Sequence, residues 1–163
     1  MISLDNIKNI FNYDEQTGIL PWKERKQGRT FGPIGFKDKD GYLIFRTNRR
    51  KYRFCVHRII WAYVNGEWPK DQIDHINGIK DDNRLCNLRE ANTAENMRNV
   101  GKQSPNTSGL KGVSWHRAGR KWRSDIKVNQ KQMWLGHFDC PAAASFAYQI
   151  AADKYHGKFA RVF

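Results

Sequence analysis

The chain has 163 residues, room for one domain or two small ones, and its 39% hydrophobic content allows only a modest core in each half. Its 29 Lys+Arg against 16 Asp+Glu leave a net charge of +13, which implies a polyanionic partner, either nucleic acid or an anionic membrane. No apolar run approaches the roughly 20 residues that span a bilayer, and the opening MISLDNIKNIF does not read as a signal peptide, so a cytoplasmic protein acting on nucleic acid is expected.

Leu4, Ile7, Ile10 and Phe11 recur at helical spacing and predict a short amphipathic helix, followed by a turn over 14–18. Strand-like pieces follow at 19–22, 41–47 and 51–56. The last two flank Asn48-Arg49-Arg50 and alternate well enough for a hairpin. From His57 the pattern is helical, with Ile59, Ile60 and Tyr63 inward and Gly66 as the stop. Residues 100–107 open a stretch rich in Gly, Ser, Asn and Pro that reads as a linker. Beyond it Val113, Trp115, Trp122, Ile126, Met133 and Leu135 alternate with polar residues in three short strands. Turns are expected at Ala118-Gly119 and Asn129-Gln130. The Ala-rich run from Pro141 to Gly157 predicts a core helix whose small residues let it lie close to a sheet. Three antiparallel strands plus one helix make 108–163 a complete α+β unit. Cys55, Cys86 and Cys140 include no Cys-x-x-Cys pair, so buried free thiols are expected rather than a zinc site or disulfides.

Charge is distributed unevenly. Residues 46–58 hold six bases and no acid, 67–95 seven acids against four bases, and 111–131 seven bases with Asp125 as the sole acid. An acidic island between basic stretches suits a protein that grips phosphates on both sides of a cation site. Within that island lies Ile73-Asp74-His75-Ile76-Asn77-Gly78. Phosphodiester hydrolysis needs an activated water, neutralised transition-state charge and a proton for the leaving oxygen. A hard divalent cation with oxygen ligands supplies the last two, and a neutral imidazole supplies the first. Adjacent strand residues point to opposite faces. Asp74 and His75 therefore share these tasks only where the strand ends, as Asn77-Gly78 suggests.

Asp74-His75 with Gly78, then Asp82-Asn83-Arg84, Asn87-Leu88-Arg89 and Glu95-Asn96, together resemble the HNH endonuclease family in its phage and homing-type branch. The resemblance extends to Val56-His57-Arg58, Gly66-Glu67-Trp68-Pro69, Tyr13 to Gly18, and Asp40-Gly41-Tyr42-Leu43, and so covers almost the whole chain. It implies a nuclease domain over 1–99 with a ββα-metal core at about 56–99: a strand, an ordered loop, a second strand and a helix that meet at one cation. It further implies that His75 is the general base and Asp74 a metal ligand. Asn87 is then the residue that braces the loop and orients His75, and Asn96 is the second metal ligand. Relatives often carry His at that last place. Asn there favours Mg²⁺, with Mn²⁺ as a substitute, and no zinc is expected. Asn83 and Arg84 are expected to shape the loop, and His57, Arg58, Arg84 and Arg89 are candidate phosphate contacts.

Gly112-Val113, Lys121-Trp122, Trp134-Leu135-Gly136, Phe138 and Ala151-Ala152 give 108–163 a resemblance to the ethylene-response-factor (ERF) DNA-binding domain. That domain is also found fused to phage-type HNH nucleases, and its three-stranded sheet lies in the major groove. Alternation places Ser114, His116, Arg123, Asp125, Lys127, Gln132 and Trp134 on the outer face, with Lys111 beside them if the strand begins in a bulge. Arg117 and Arg120 lie in a turn one residue longer than in plant members. Ser114, His116 and Gln132 stand where those members place arginines, so the plant target sequence does not transfer. The expected protein is a metal-dependent, site-directed endonuclease of double-stranded DNA, in the cytoplasm of a bacterial host if phage-encoded. The alternative is a DNA-binding regulator with an inactive nuclease centre. Either a monomer or a dimer is compatible with the sequence.

Overall fold

A computed structural model describes residues 3–24, 34–47, 52–99 and 106–161. The chain forms two compact units, Met1–Asn92 and Thr93–Phe163, both mixing helices with antiparallel sheet, an α+β architecture.

The first unit opens with α1 (Leu4–Ile10), capped by the Ser3 hydroxyl, which accepts from the Asn6 amide. The expected turn follows: the Asp14 carboxylate accepts from the Gln16 amide and the Thr17 hydroxyl, and Gly18 closes it at φ 72°. The strand expected at 19–22 is present only as isolated bridges, Asp14 to Ile19 and Phe11 to Trp22. β1 (Phe36–Lys37), β2 (Leu43–Thr47) and β3 (Tyr52–Cys55) form an antiparallel sheet in that order, with Ile44 opposite Cys55. β2 and β3 are the anticipated hairpin arms, and their predicted turn at Asn48-Arg49-Arg50 lies outside the described residues.

α2 (Val56–Asn65) stops on Gly66 at φ 73°, the left-handed conformation in which glycine lacks a Cβ penalty. Its inner residues Ile59, Ile60 and Ala62 share one core with Ile7, Phe11 and Phe45. A two-stranded antiparallel sheet, β4 (Gln72–His75) with β5 (Leu88–Ala91), adds Ile73 and Leu88 to that core. This anchors the strand that carries Asp74 and His75.

The second unit holds α3 (Thr93–Asn99), the sheet β6 (Val113–His116), β7 (Lys121–Val128) and β8 (Lys131–Phe138), and α4 (Pro141–His156). The β7–β8 turn places both Asn129 and Gln130 at positive φ (48° and 66°), the two-residue geometry whose twist matches paired strands. Ala144, Tyr148, Ala151 and Ala152 of α4 are buried, the last three clustered with Ile126. The approach is close, since a Cβ added at Gly112 would fall 2.0 Å from the Tyr148 ring. α4 is not all core, however: Phe146 and Ile150 are exposed, because sixteen residues of helix cover one sheet face with only one side.

The cysteines are free, but Cys86 and Cys140 are exposed rather than buried. Cys140 stands at the surface end of α4, where its Sγ accepts from the Ala143 amide. No helix among the described residues is long and apolar enough to cross a membrane.

Candidate active site

Asp74 and His75 end β4 and project to its two faces. Asp74 lies directly across from Arg89 of β5, and Arg89 Nε and Nη2 reach its Oδ2 at 2.8 and 2.7 Å. On the other face His75 is 4% exposed, and its Nε2 stands 3.0 Å from Asn83 Oδ1. A carboxamide oxygen only accepts, so Nε2 carries the proton and Nδ1 the lone pair. Tyr42 and His57 wall the ring, with centroids 5.9 and 5.0 Å away, the His57 plane nearly perpendicular at 84°.

Burial lowers the His75 pKa below that of an ordinary histidine. The Asn83 bond and the charges of Asp74, Asp82 and Asp81 oppose this without overcoming it. At neutral pH the imidazole is therefore uncharged. His57 is pushed down further, to about 3, by burial and then by the charges of His75 and Arg58. Its Nδ1 is buried and has no hydrogen-bond partner among the described residues.

The segment between β4 and β5 is tied to itself. Asn87 Oδ1 accepts from the Asn77 amide and its Nδ2 donates to the Asp82 carbonyl. Asp82 accepts from Asn77 Nδ2 and from Arg84 Nε and Nη2, and these bonds, the Arg84 one foremost, hold its carboxyl at about 2. Asn87 thus ties the Asn77 amide to the Asp82 carbonyl across the loop. The His75 ring is met by Asn83, through Nε2 and Asn83 Oδ1.

A distant segment buttresses the loop from outside. The Tyr13 hydroxyl donates to the Asn83 carbonyl and accepts from the Leu85 amide, at 3.1 and 2.8 Å. Gly18 lies so near that an added Cβ would stand 2.4 Å from the Arg84 amide nitrogen. Sequence reasoning assigned no role to Tyr13, Gly18 or Tyr42. The available signal was their place in the family-like pieces around 13–18 and 40–43.

The candidate phosphate contacts are engaged with the protein itself. Arg58 donates to the carbonyls of Asp71 and Pro69, Arg84 holds Asp82, Arg89 holds Asp74, and His57 is buried. Asn96 is half-buried on α3, in the second compact unit. Among the described residues no group of three or more His, Cys, Asp or Glu could hold a metal ion. Asp74 and Asn96 each carry oxygen donors, the kind that suits Mg²⁺ better than a thiophilic ion.

In the second unit the sheet face away from α4 carries most of the predicted DNA-contact residues. Ser114 pairs with Arg123, Asp125 with Trp134, and Lys127 with Gln132, while Trp134 is 61% exposed. Asp125 anchors Arg123, whose Nη2 and Nε lie 2.8 and 2.7 Å from its two oxygens. Arg117 and Arg120 are exposed in the β6–β7 turn. Lys111 departs from expectation: it precedes β6, its amine donates to the Arg98 carbonyl, and burial lowers it to about 8. Alternation does not govern it, since Gly112 at φ 70° turns the chain before the strand starts. Trp115 lies on the helix side yet is 47% exposed, stacked edge-on against Trp122. His137 joins the outer face although strict alternation from Trp134 would turn it inward. An irregularity opposite Ser124 and Asp125 leaves Leu135 unpaired and reverses the order.

A family model described as HNH endonuclease matches residues 54–98, from β3 to within α3. Protein 3.8 of Escherichia phage T7 is 37% identical over 106 residues, covering 64% of this chain and 87% of that protein. No solved structure matches.

Proposed function

The chain belongs to one family with Protein 3.8 of phage T7 and carries an HNH endonuclease domain, and from that premise we propose that it is a metal-dependent, site-directed DNA endonuclease. The observation that carries this reading is His75: uncharged, with its tautomer set by Asn83, at the end of the strand that also bears Asp74. Its Nδ1 lone pair takes a proton from water as the water oxygen bonds to phosphorus and the bond to the leaving ester oxygen breaks. Asn83 keeps Nε2 protonated and the ring fixed, so the base meets water in one orientation. Asp74 is the residue of the first unit that would hold a divalent cation, Mg²⁺ first, which would supply charge neutralisation at the phosphate and a proton source for the leaving oxygen. Arg89 keeps the Asp74 carboxylate in place through a charge-assisted contact.

The second unit is the DNA-reading half of this proposal, an ERF-like sheet that enters the major groove with Ser114, His116, Arg123, Lys127, Gln132 and Trp134. Its support is the exposed outer face and the three-stranded order β6-β7-β8 backed by one helix. A small cutting centre gains selectivity when tethered to such a reader.

A second reading, a DNA-binding regulator with a silent centre, draws on the hold that Arg89 has on Asp74. Incubation of plasmid with protein and Mg²⁺, with EDTA, and with His75→Ala separates the two. Cutting that needs both the cation and His75, while His75→Ala still shifts DNA on a gel, supports the nuclease. An intact plasmid under Mg²⁺ and Mn²⁺ alike, with the gel shift retained, establishes the regulator.

A further inference from the structure

Within the second unit, α3, the segment before β6, the far half of β7 and the end of α4 surround an open cavity of about 1180 Å³ that the cleavage chemistry does not use. It exists because β6 starts late. β6 pairs with Lys121 to Ser124 only, which leaves the edge of β7 from Ile126 to Val128 without a strand beside it. On that edge the Lys127 carbonyl accepts from His156 Nε2 at 3.0 Å. His156 Nδ1 is buried and has no hydrogen-bond partner among the described residues. Two half-buried cations line the same space, the Arg98 guanidinium and the Lys111 amine. Lys111 uses one of its three N–H bonds on the Arg98 carbonyl at 2.9 Å. Among the described residues neither cation is joined to a carboxylate. Asp125, the acid on the wall, is held through both oxygens by Arg123. Burial and then the charge of Arg161 lower Lys111 to about 8, and Arg98 and Lys111 both oppose a charge on His156. Cations drawn out of water without a counter-charge are costly, and an anion seated between them relieves that cost. The remaining wall is apolar: Ile126 and Tyr148 are buried, while Met97 is 64% exposed.

We propose that this cavity is a binding site for a nucleoside 5′-monophosphate, with the phosphate between Arg98 and Lys111 and the flat base over Met97. The inference goes beyond the endonuclease reading and does not depend on it. A guanidinium fork and an ammonium bring two positive charges to one place, which matches the dianion of a phosphate monoester better than the single charge of an internal DNA phosphate. A methionine thioether makes favourable contact with aromatic rings, so a base covers the exposed Met97. Small-molecule sites run to roughly 300–1,000 Å³, so the space takes a whole nucleotide and is far too large for phosphate alone. A free nucleotide and the 5′-phosphorylated end of a strand present the same group.

The test is isothermal titration calorimetry on the full chain in EDTA, with deoxyadenosine monophosphate, deoxyadenosine, inorganic phosphate, and a short single strand bearing a 5′-phosphate or a 5′-hydroxyl. The nucleotide should bind about 10-fold more tightly than deoxyadenosine or phosphate, and Arg98→Gln and Lys111→Met should each weaken it about 10-fold. At about pH 8 Lys111 is half ionised, and the arriving dianion completes its ionisation. Binding should then take up about half a proton, read from the dependence of the heat on the buffer, and Lys111→Met should abolish that uptake. Lys111→Met also loses the bond to the Arg98 carbonyl, whereas Arg98→Gln leaves that bond in place and keeps the test decisive if the first variant fails to fold. A 5′-phosphorylated strand that binds as tightly as the nucleotide makes strand ends the ligand; one that binds more weakly makes it the free nucleotide. The proposal is overturned if millimolar nucleotide gives no binding, if deoxyadenosine binds equally well, or if Arg98→Gln leaves the affinity unchanged. It is equally overturned if the 5′-hydroxyl strand matches the 5′-phosphorylated one, the mark of a grip on internal phosphates.

Discussion

His57 offers a sharp test of how the first unit is held together. Burial, then the charges of His75 and Arg58, hold its imidazole at about 3 in the folded state, against about 6.5 in an unfolded chain. The folded state thus binds its proton less readily than the unfolded one. The stability that depends on the neutral ring is complete above about pH 6.5 and is lost as pH falls from there toward about 3. One pH unit corresponds to about 1.4 kcal/mol, so two units of acidification, to about pH 4.5, remove about 2.7 kcal/mol. His57→Phe keeps a flat ring against His75 and Tyr42, deletes the partnerless Nδ1 and abolishes the titration. Because it replaces an unsatisfied buried atom, it should be neutral or mildly stabilising near neutral pH. Hydrogen exchange of the α2 backbone, corrected for the intrinsic pH dependence of the rate, reads the opening free energy in both proteins. Between about pH 7 and about pH 4.5 the wild type should lose on the order of 3 kcal/mol relative to the variant. A parallel decline in the two proteins would refute the argument.

Asn83→Ala removes the acceptor that holds His75, and it should lower kcat on the order of 100-fold with KM nearly unchanged, measured on a plasmid-nicking time course. An equal loss in Asn87→Ala would be expected only from collapse of the loop, which circular dichroism and melting temperature would report. Gly112→Ala forces a side chain into left-handed backbone at φ 70° and against the Tyr148 ring. It should unfold the second unit and abolish sequence preference in gel shifts, and a variant that melts like wild type would show that α4 can move away.

Local signals were read from the sequence where one residue decides one outcome. Gly66 stops α2, Asn129-Gln130 turns β7 into β8, and Asp74-His75 ends β4. The orienting contact to His75 was assigned to Asn87 because a motif records which residues recur, not which side chain meets which. Asn87 meets Asn77 and Asp82, while Asn83 Oδ1 meets the ring. Tyr13 was invisible in this role because its partners lie about 70 residues away in sequence. On the outer sheet face alternation served until Leu135, where one unpaired residue moved His137 to the side of His116. Lys111 failed for a related reason: a period of two holds only inside a strand, and β6 begins after it.

The bridge from Tyr13 to the Asn83–Leu85 backbone also orders events during synthesis. The N-terminal turn leaves the ribosome early, but its partner emerges only when nearly the whole first unit has been made. Until then the loop that aims His75 lacks its outer brace. A nascent chain thus holds that loop without its brace, and the brace arrives with completion of the unit.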